Sequence, residues 1–224
     1  MKIGMSSIKV LLFVLVGFTA QSQVVTTGST MQDFSGKVIL FNKLSEVEGS
    51  IFYKDSYLPA TLILENGVLI TGKNVKLNLQ DNTVYYLDNN GSEFETISKI
   101  KRIEFIESKS VFENGFPSVE NQNAQTYYQV LIKGNASLLL CTKFSEGEYK
   151  PYNATVSIKR IDKVFEFYGV SSKAISKLTG QNDVLVVLSD KTKEVANFIL
   201  DKKIKCKKKS DFVDVIKYYN SLRN

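Results

Sequence analysis

The run Val75-Lys76-Leu77-Asn78-Leu79-Gln80 decides the fold class. It alternates strictly, setting three aliphatic side chains on one face of an extended chain and three polar ones on the other, the period-2 signature of a half-buried strand. A turn at Asp81-Asn82 leads into Thr83-Val84-Tyr85-Tyr86-Leu87, a β-branched and aromatic run suited to a pleated surface. Together they predict an antiparallel pair, and the same signals extend in both directions.

Asn-Gly pairs at 66–67, 90–91 and 114–115, and Gly-Asn at 134–135, punctuate the flanking segments. Asn-Gly between apolar runs is the strongest short-range hairpin signal, because both residues accept φ > 0 in a type I′ turn. Strands are expected at 37–42, 49–54, 59–64, 67–71, 74–80, 83–88, 92–98 and 100–107, and again at 126–133, 136–144, 155–160 and 161–168. Residues 109–125, with Pro117 and several Asn and Gln, read as an irregular connection. Residues 37–170 thus form an antiparallel β domain, either one unit or two halves divided near 109–125. Ile100-Lys101-Arg102-Ile103-Glu104 recurs as Ile158-Lys159-Arg160-Ile161-Asp162, a repeat that shared strand composition suffices to explain.

Residues 171–224 change character and read as a basic, mainly helical segment. Ser189-Asp190 is expected to cap a helix carrying Val195, Phe198 and Ile199 on one stripe. Ser210 is expected to cap a second helix with Phe212, Val213, Ile216, Tyr219 and Leu222. Residues 182–188 are open to two readings: strand by propensity, helix by position. The fold class expected is therefore α+β and β-dominated, an antiparallel sheet or sandwich with a short helical C-terminal segment.

At the other end, Lys2 and Lys9 precede and enter an apolar run, Val10 to Phe18, followed by the small residues Thr19, Ala20 and Ser22. That is the pattern of a signal peptide over 1–22, too short in its apolar core to span a bilayer of about 30 Å. Residues 23–36, rich in Thr, Ser, Gln and Gly, read as a loose leader. The expected location is exported, periplasmic or extracellular, with no membrane span in the remaining chain.

Composition then closes off chemistry. The chain of 224 residues has 29 Lys+Arg, 23 Asp+Glu, 2 Cys and no His. Ser–His–Asp and Cys–His catalysis both need an imidazole, and His-based zinc sites are excluded with them. No dinucleotide or P-loop glycine signature is present, so no cofactor is implied.

The positive charge is uneven. Residues from Ser172 onward hold twelve basic and six acidic side chains, while residues 23–171 are slightly acidic. Lys202, Lys203, Lys205, Lys207, Lys208 and Lys209 lie within one short run. Such a cluster suits anionic lipid headgroups or acidic polysaccharide, or it is simply a solvated linker between helices. Nucleic acid fits poorly, since no aromatic residue lies between 199 and 211 to stack a base. Cys141 and Cys206 allow two readings: a disulfide, contributing about 4 kcal/mol in the chain-entropy model, or a buried Cys141 beside an exposed and reactive Cys206.

Carboxylate pairs are the remaining route to catalysis. Glu93 and Glu95 would share a strand face about 6.6 Å apart, near the separation glycosidases use, and Glu146 and Glu148 have the same spacing. Any two acids at i and i+2 meet that criterion, so a solvated face explains both pairs. Asp88-Asn89-Asn90-Gly91-Ser92 resembles the start of a calcium loop, but Glu93 stands where glycine is required and Lys99 where glutamate is. A hairpin turn explains these residues better. Tyr85-Tyr86, Tyr127-Tyr128 and Phe165-Glu166-Phe167-Tyr168 place rings on both sheet faces, for core packing or for an outward binding row.

The runs Leu188 to Leu200 and Lys208 to Leu222, with Ala60 to Gly67 and Val75 to Leu79, resemble uncharacterised secreted β-rich proteins of Bacteroidetes-type bacteria. The resemblance implies location and fold and brings no activity with it. The function expected is a non-catalytic structural or binding protein of the cell envelope, whose partner is an envelope protein, a glycan or an anionic membrane surface. The alternative is a His-free, carboxylate-based hydrolase acting on envelope or external glycans.

Overall fold

The computed structural model describes residues 36–38, 47–150, 152–153, 157–172 and 174–222. The export signal at 1–22, the leader up to residue 35 and residues 39–42 of the first expected strand lie outside the described residues. Strand makes up 46% of the structure and helix 19%, so the fold is a β-dominated α+β one.

The strands are β1 (Gly36–Val38), β2 (Val47–Gly49), β3 (Leu58–Leu64), β4 (Leu69–Asn78), β5 (Thr83–Leu87), β6 (Glu93–Thr96), β7 (Ile100–Phe105), β8 (Val111–Glu113), β9 (Tyr128–Ile132), β10 (Ala136–Tyr149), β11 (Ile158–Ser171) and β12 (Ala174–Leu178). They form one sheet in the order β1-β6-β5-β4-β3-β7-β8-β9-β10-β11-β12, antiparallel throughout except that β2 pairs in parallel with β11. Two meanders, β3–β6 and β7–β12, are thus joined edge to edge through β3 and β7.

That junction forces the sheet to curl. Thr96 ends β6 and Ile100 begins β7, a stretch that reaches about 14 Å when fully extended. In a flat sheet β6 and β7 would stand four strand spacings apart, about 19 Å. The curl encloses the first core, which includes Ala60, Leu62, Val75, Leu77, Val84, Ile103 and Phe105, and the Tyr127 hydroxyl donates into it to the Ile100 carbonyl at 2.6 Å.

Asn114-Gly115 closes no hairpin, Gly115 N donating instead to Ala124 O, and at the other two Asn-Gly turns only the glycines, Gly67 (φ 85°) and Gly91 (φ 81°), enter the left-handed region. Both hairpins close with the same pair of bonds, Gly67 N to Leu64 O with Leu64 N to Val68 O, and Gly91 N to Asp88 O with Asp88 N to Ser92 O. This is a type I turn followed by a left-handed glycine, which needs only one permissive residue. The expected strands at 67–71 and 74–80 are one strand, β4, and those at 155–160 and 161–168 are one strand, β11. The expected irregular connection contains β8, which pairs with β7 and β9 and carries the sheet across it.

Helices α1 (Gln181–Val187), α2 (Thr192–Asp201) and α3 (Lys209–Ser221) cover one face of the far end of the sheet. Residues 182–188 are helical despite their β propensity, because Asp183 accepts from the Thr179 and Gly180 amides and the Thr179 hydroxyl while Val184 and Leu188 bury one helix turn apart. The cap assignments need correction. A 3₁₀ turn, Ser189–Lys191, precedes α2, and Asp190 accepts from the Tyr219 hydroxyl instead of capping. Asp211, not Ser210, receives a backbone amide, that of Lys207, at the start of α3. The buried stripe of α3 is Phe212, Val215, Ile216 and Tyr219, so Val215 replaces the expected Val213.

Asn220 docks α3 on the sheet by imitating a strand. Its side-chain oxygen accepts from Ala136 N at 2.8 Å and its amide nitrogen donates to Ala136 O at 2.9 Å. Asn220→Ala is expected to cost about 2 kcal/mol, because two backbone groups lose their partners together. Urea unfolding checks this, and a loss under about 0.5 kcal/mol would show that water replaces the amide freely.

Candidate ligand groove

Along β10 and β11 fourteen residue pairs run in unbroken register from Ala136↔Ser171 to Tyr149↔Ile158. Because side chains alternate, Leu138, Leu140 and Thr142 share one face with Gly169, Phe167 and Phe165, while Leu139, Cys141 and Lys143 share the other with Tyr168 and Glu166. The helices cover the first face only at its Leu138–Gly169 end. Gly169 permits that approach, since a Cβ there would stand 3.0 Å from Val187 Cγ1. Beyond Lys209, where α3 begins, the face is uncovered.

The uncovered part is the floor of a groove of about 490 Å³. Leu140, Phe165 and Phe167 form one wall, and Tyr53, Leu79 and Phe112 of the first core complete the apolar lining. Tyr53 packs edge-on against Phe112 at 4.8 Å, and Phe167 against Phe212 of α3 at 5.2 Å, so both parts are anchored in core. Phe165 is not: it remains 57% exposed beside the cleft.

Lys54, Lys163 and Lys209 line the same groove and no carboxylate does. Lys54 Nζ stands 5.9 Å from the centroid of the Tyr53 ring. Lys163 donates to the Phe52 carbonyl, and burial lowers its pKa, with Lys54 adding to the effect and Asp55 opposing it. Among the described residues none of the three makes an ion pair.

The structure distributes the sequence-predicted residues as follows. Lys202, Lys203, Lys205, Lys207, Lys208 and Lys209 are all exposed, but they do not act as one patch on the groove. Lys209 enters it, whereas Lys207 Nζ reaches the Thr179 carbonyl at 3.4 Å. The disulfide is absent, and of the second reading only the buried Cys141 holds. Cys141 and Cys206 are free and buried in different clusters: Cys141 beside Tyr128, Leu139 and Tyr168, Cys206 among the three helices. Cys206 is fully buried, not exposed, and burial together with Asp211 raises its pKa, so the neighbouring Lys do not activate it.

Neither expected carboxylate pair lies in the groove. Glu93 accepts the hydroxyl of Tyr57, whose pKa is raised by burial and then by Glu93. Glu146 and Glu148 are exposed near the end of β10 and line a separate cavity of about 390 Å³ with Lys159 and Arg160. The Asp88 carboxylate is occupied as a turn clamp, accepting from Asn90 N at 2.9 Å and Ser92 N at 2.8 Å. Among the described residues no group of three or more His, Cys, Asp or Glu is placed to hold a metal ion.

Sequence reasoning missed Lys54 and Lys163, which stand far apart in the chain and far from the Lys run. It also missed a charged network on the opposite sheet face. There Glu166 meets Lys177 at 2.6 Å and Lys143 at 2.9 Å, and the buried Tyr168 hydroxyl donates to it at 2.9 Å. Glu120, on the connection between β8 and β9, joins at 3.1 Å from the same hydroxyl and 3.5 Å from Lys177, tying that connection over the sheet. Burial would raise the pKa of Glu166, but the bonds from Lys177, Lys143 and Tyr168 overcome it and hold the carboxyl at about 2. Burial pushes the neighbouring Cys141 thiol up to about 11.

No helix among the described residues is long and apolar enough to cross a membrane. Comparison of the chain with protein-family models, curated proteins and solved structures finds no match.

Proposed function

We propose that the protein is an exported, non-catalytic binding protein of the bacterial cell envelope, and that the groove over β10 and β11 is where it holds its partner. One observation carries this reading: an uncovered aromatic floor edged by Lys54, Lys163 and Lys209, without a single lining carboxylate. Concave apolar surfaces with a few convergent polar groups are the usual form of a small-molecule site, and the exposed Phe165 lies among such a lining rather than singly on the surface. Export is supported by the basic-then-apolar pattern of residues 1–22 and the small residues that follow.

A neutral apolar dye, N-phenyl-1-naphthylamine, tests the groove directly. Its fluorescence should rise on binding the wild type, and Phe165→Glu should weaken that binding about tenfold, equivalent to about 1.4 kcal/mol. Phe165 is more than half exposed, so the variant should fold, which circular dichroism verifies. Equal dye binding by Phe165→Glu and wild type would remove the groove as the site.

A further inference from the structure

We infer that the occupant of the groove is a fatty acid, bound as its carboxylate with the acyl chain along the aromatic floor. This rests on the groove being the binding site, and it adds the chemistry of the ligand.

The floor selects an apolar body. Phe165, Phe167 and Leu140 present rings and methyls, with Tyr53 and Phe112 completing the lining. Among the polar lining groups, the Tyr53 hydroxyl donates to Ser110 Oγ at 2.9 Å and the Gln129 amide donates to the same oxygen at 3.2 Å. Two neutral polar groups of the lining, the Tyr53 hydroxyl and the Gln129 amide, are therefore engaged within the protein. A sugar would have to exchange a full hydration shell for few new hydrogen bonds, which costs free energy for every hydroxyl left unmatched. An acyl chain makes no such demand.

The rim selects an anion. Lys54, Lys163 and Lys209 belong to three distant parts of the chain, yet they converge on one cleft whose lining carries no negative charge. A carboxylate would receive charge-assisted hydrogen bonds from ammonium groups that make no ion pair among the described residues. Lysine presents a compact point charge on a flexible stem, which holds an anionic head without fixing its orientation. At about 490 Å³ the groove lies in the lower half of the range for small-molecule sites, matching one acyl chain and not the two of a phospholipid.

Displacement of N-phenyl-1-naphthylamine by laurate and by dodecanol separates charge from chain. Laurate should displace the dye at a concentration about tenfold lower than dodecanol, and added salt should weaken laurate alone. In Lys54→Gln/Lys163→Gln/Lys209→Gln the two competitors should become equivalent. Lys163 is half-buried and bonded to Phe52, so Lys54→Gln/Lys209→Gln serves where the triple variant does not fold, with an intermediate loss of preference expected. Equal displacement by laurate and dodecanol in the wild type overturns the carboxylate while leaving the groove intact. Unchanged laurate preference in the Lys variants overturns it as well. Stronger displacement by a lysophospholipid than by laurate would reassign the site to a phosphate headgroup, and failure of the wild type to bind the dye would remove the groove itself.

Discussion

Phe212→Ala is expected to lower the unfolding free energy by about 3–5 kcal/mol, the usual cost of a large ring removed from a closed site. Phe212 is 1% exposed and sits where α3 meets the sheet, with Phe167 at 5.2 Å and Leu138, Val215 and Ile216 in the same cluster. The surrounding positions have little freedom to collapse. Leu138 and Phe167 are held by the continuous register of β10 and β11, and Gly169 already admits α1 at the closest distance a Cβ would allow. None of the three helices is long enough to persist alone in water, so all depend on this packing. For a domain stable by about 5–15 kcal/mol, the loss is a large fraction of the total. Urea denaturation followed by circular dichroism measures it. A cost below about 1 kcal/mol would mean that the helical layer does not belong to the cooperative core. The same substitution should weaken dye binding, since Phe167 supports one wall of the groove.

The alternating run at 75–80 foretold its own burial well. Val75, Leu77 and Leu79 all face the first core, and Lys76 points away, its ammonium 4.0 Å from the Phe52 ring. Asn78 departs from the polar-out expectation: it is 2% exposed and its side-chain oxygen accepts from Gln80 N and Asp81 N. A period-2 pattern assigns a face but cannot show that a turn will fold back and cap it. Short strands escaped for a related reason. The three residues of β8 and five of β12 carry too few alternations to stand out, and neighbouring strands rather than propensity keep them extended. The stretch 182–188 went the other way, since Asp183 and two burial positions outweigh its valines.

The groove was the least legible part. Phe165 and Phe167 were visible as an aromatic pair, and Lys209 as the last member of a Lys run. What joins them to Lys54 and Lys163 is the curl of the sheet and the register of β10 with β11, neither of which has a local signature. The Lys run drew attention because its members are adjacent in sequence, but the cations that converge come from three separate places. The repeat at 100–104 and 158–162 does carry a local structural meaning. In both copies the arginine bonds to the acid two residues on, Arg102 to Glu104 at 2.5 Å and Arg160 to Asp162 at 2.9 Å. That pairing follows from strand geometry whatever the origin of the repeat.

The network around Glu166 makes the second large effect, and it appears in acid. The carboxyl has an ordinary pKa of 4.5 and is held at about 2 in the folded protein. A depressed carboxyl contributes its full stabilisation above its unfolded pKa and loses it as pH falls through its folded pKa, so the window is about pH 4.5 down to 2. With the side chain only 17% exposed, the contribution is about 2–3 kcal/mol. Glu166→Gln should therefore cost about that much at neutral pH and flatten the stability profile within the window. The glutamine keeps an acceptor for the Tyr168 hydroxyl but leaves Lys143 and Lys177 only Glu120, at 3.7 and 3.5 Å, for compensation. Asp183, held low by its bonds to Thr179 and Gly180, titrates in wild type and variant alike and cancels in the difference. Urea unfolding from pH 6 to pH 2.5 reads that difference directly. Parallel curves would show that the two lysines, rather than the carboxylate, bear the cost of burial. Converging curves would establish that the ionised form of one half-buried acid, bonded from β10, β11 and β12, stabilises the folded sheet.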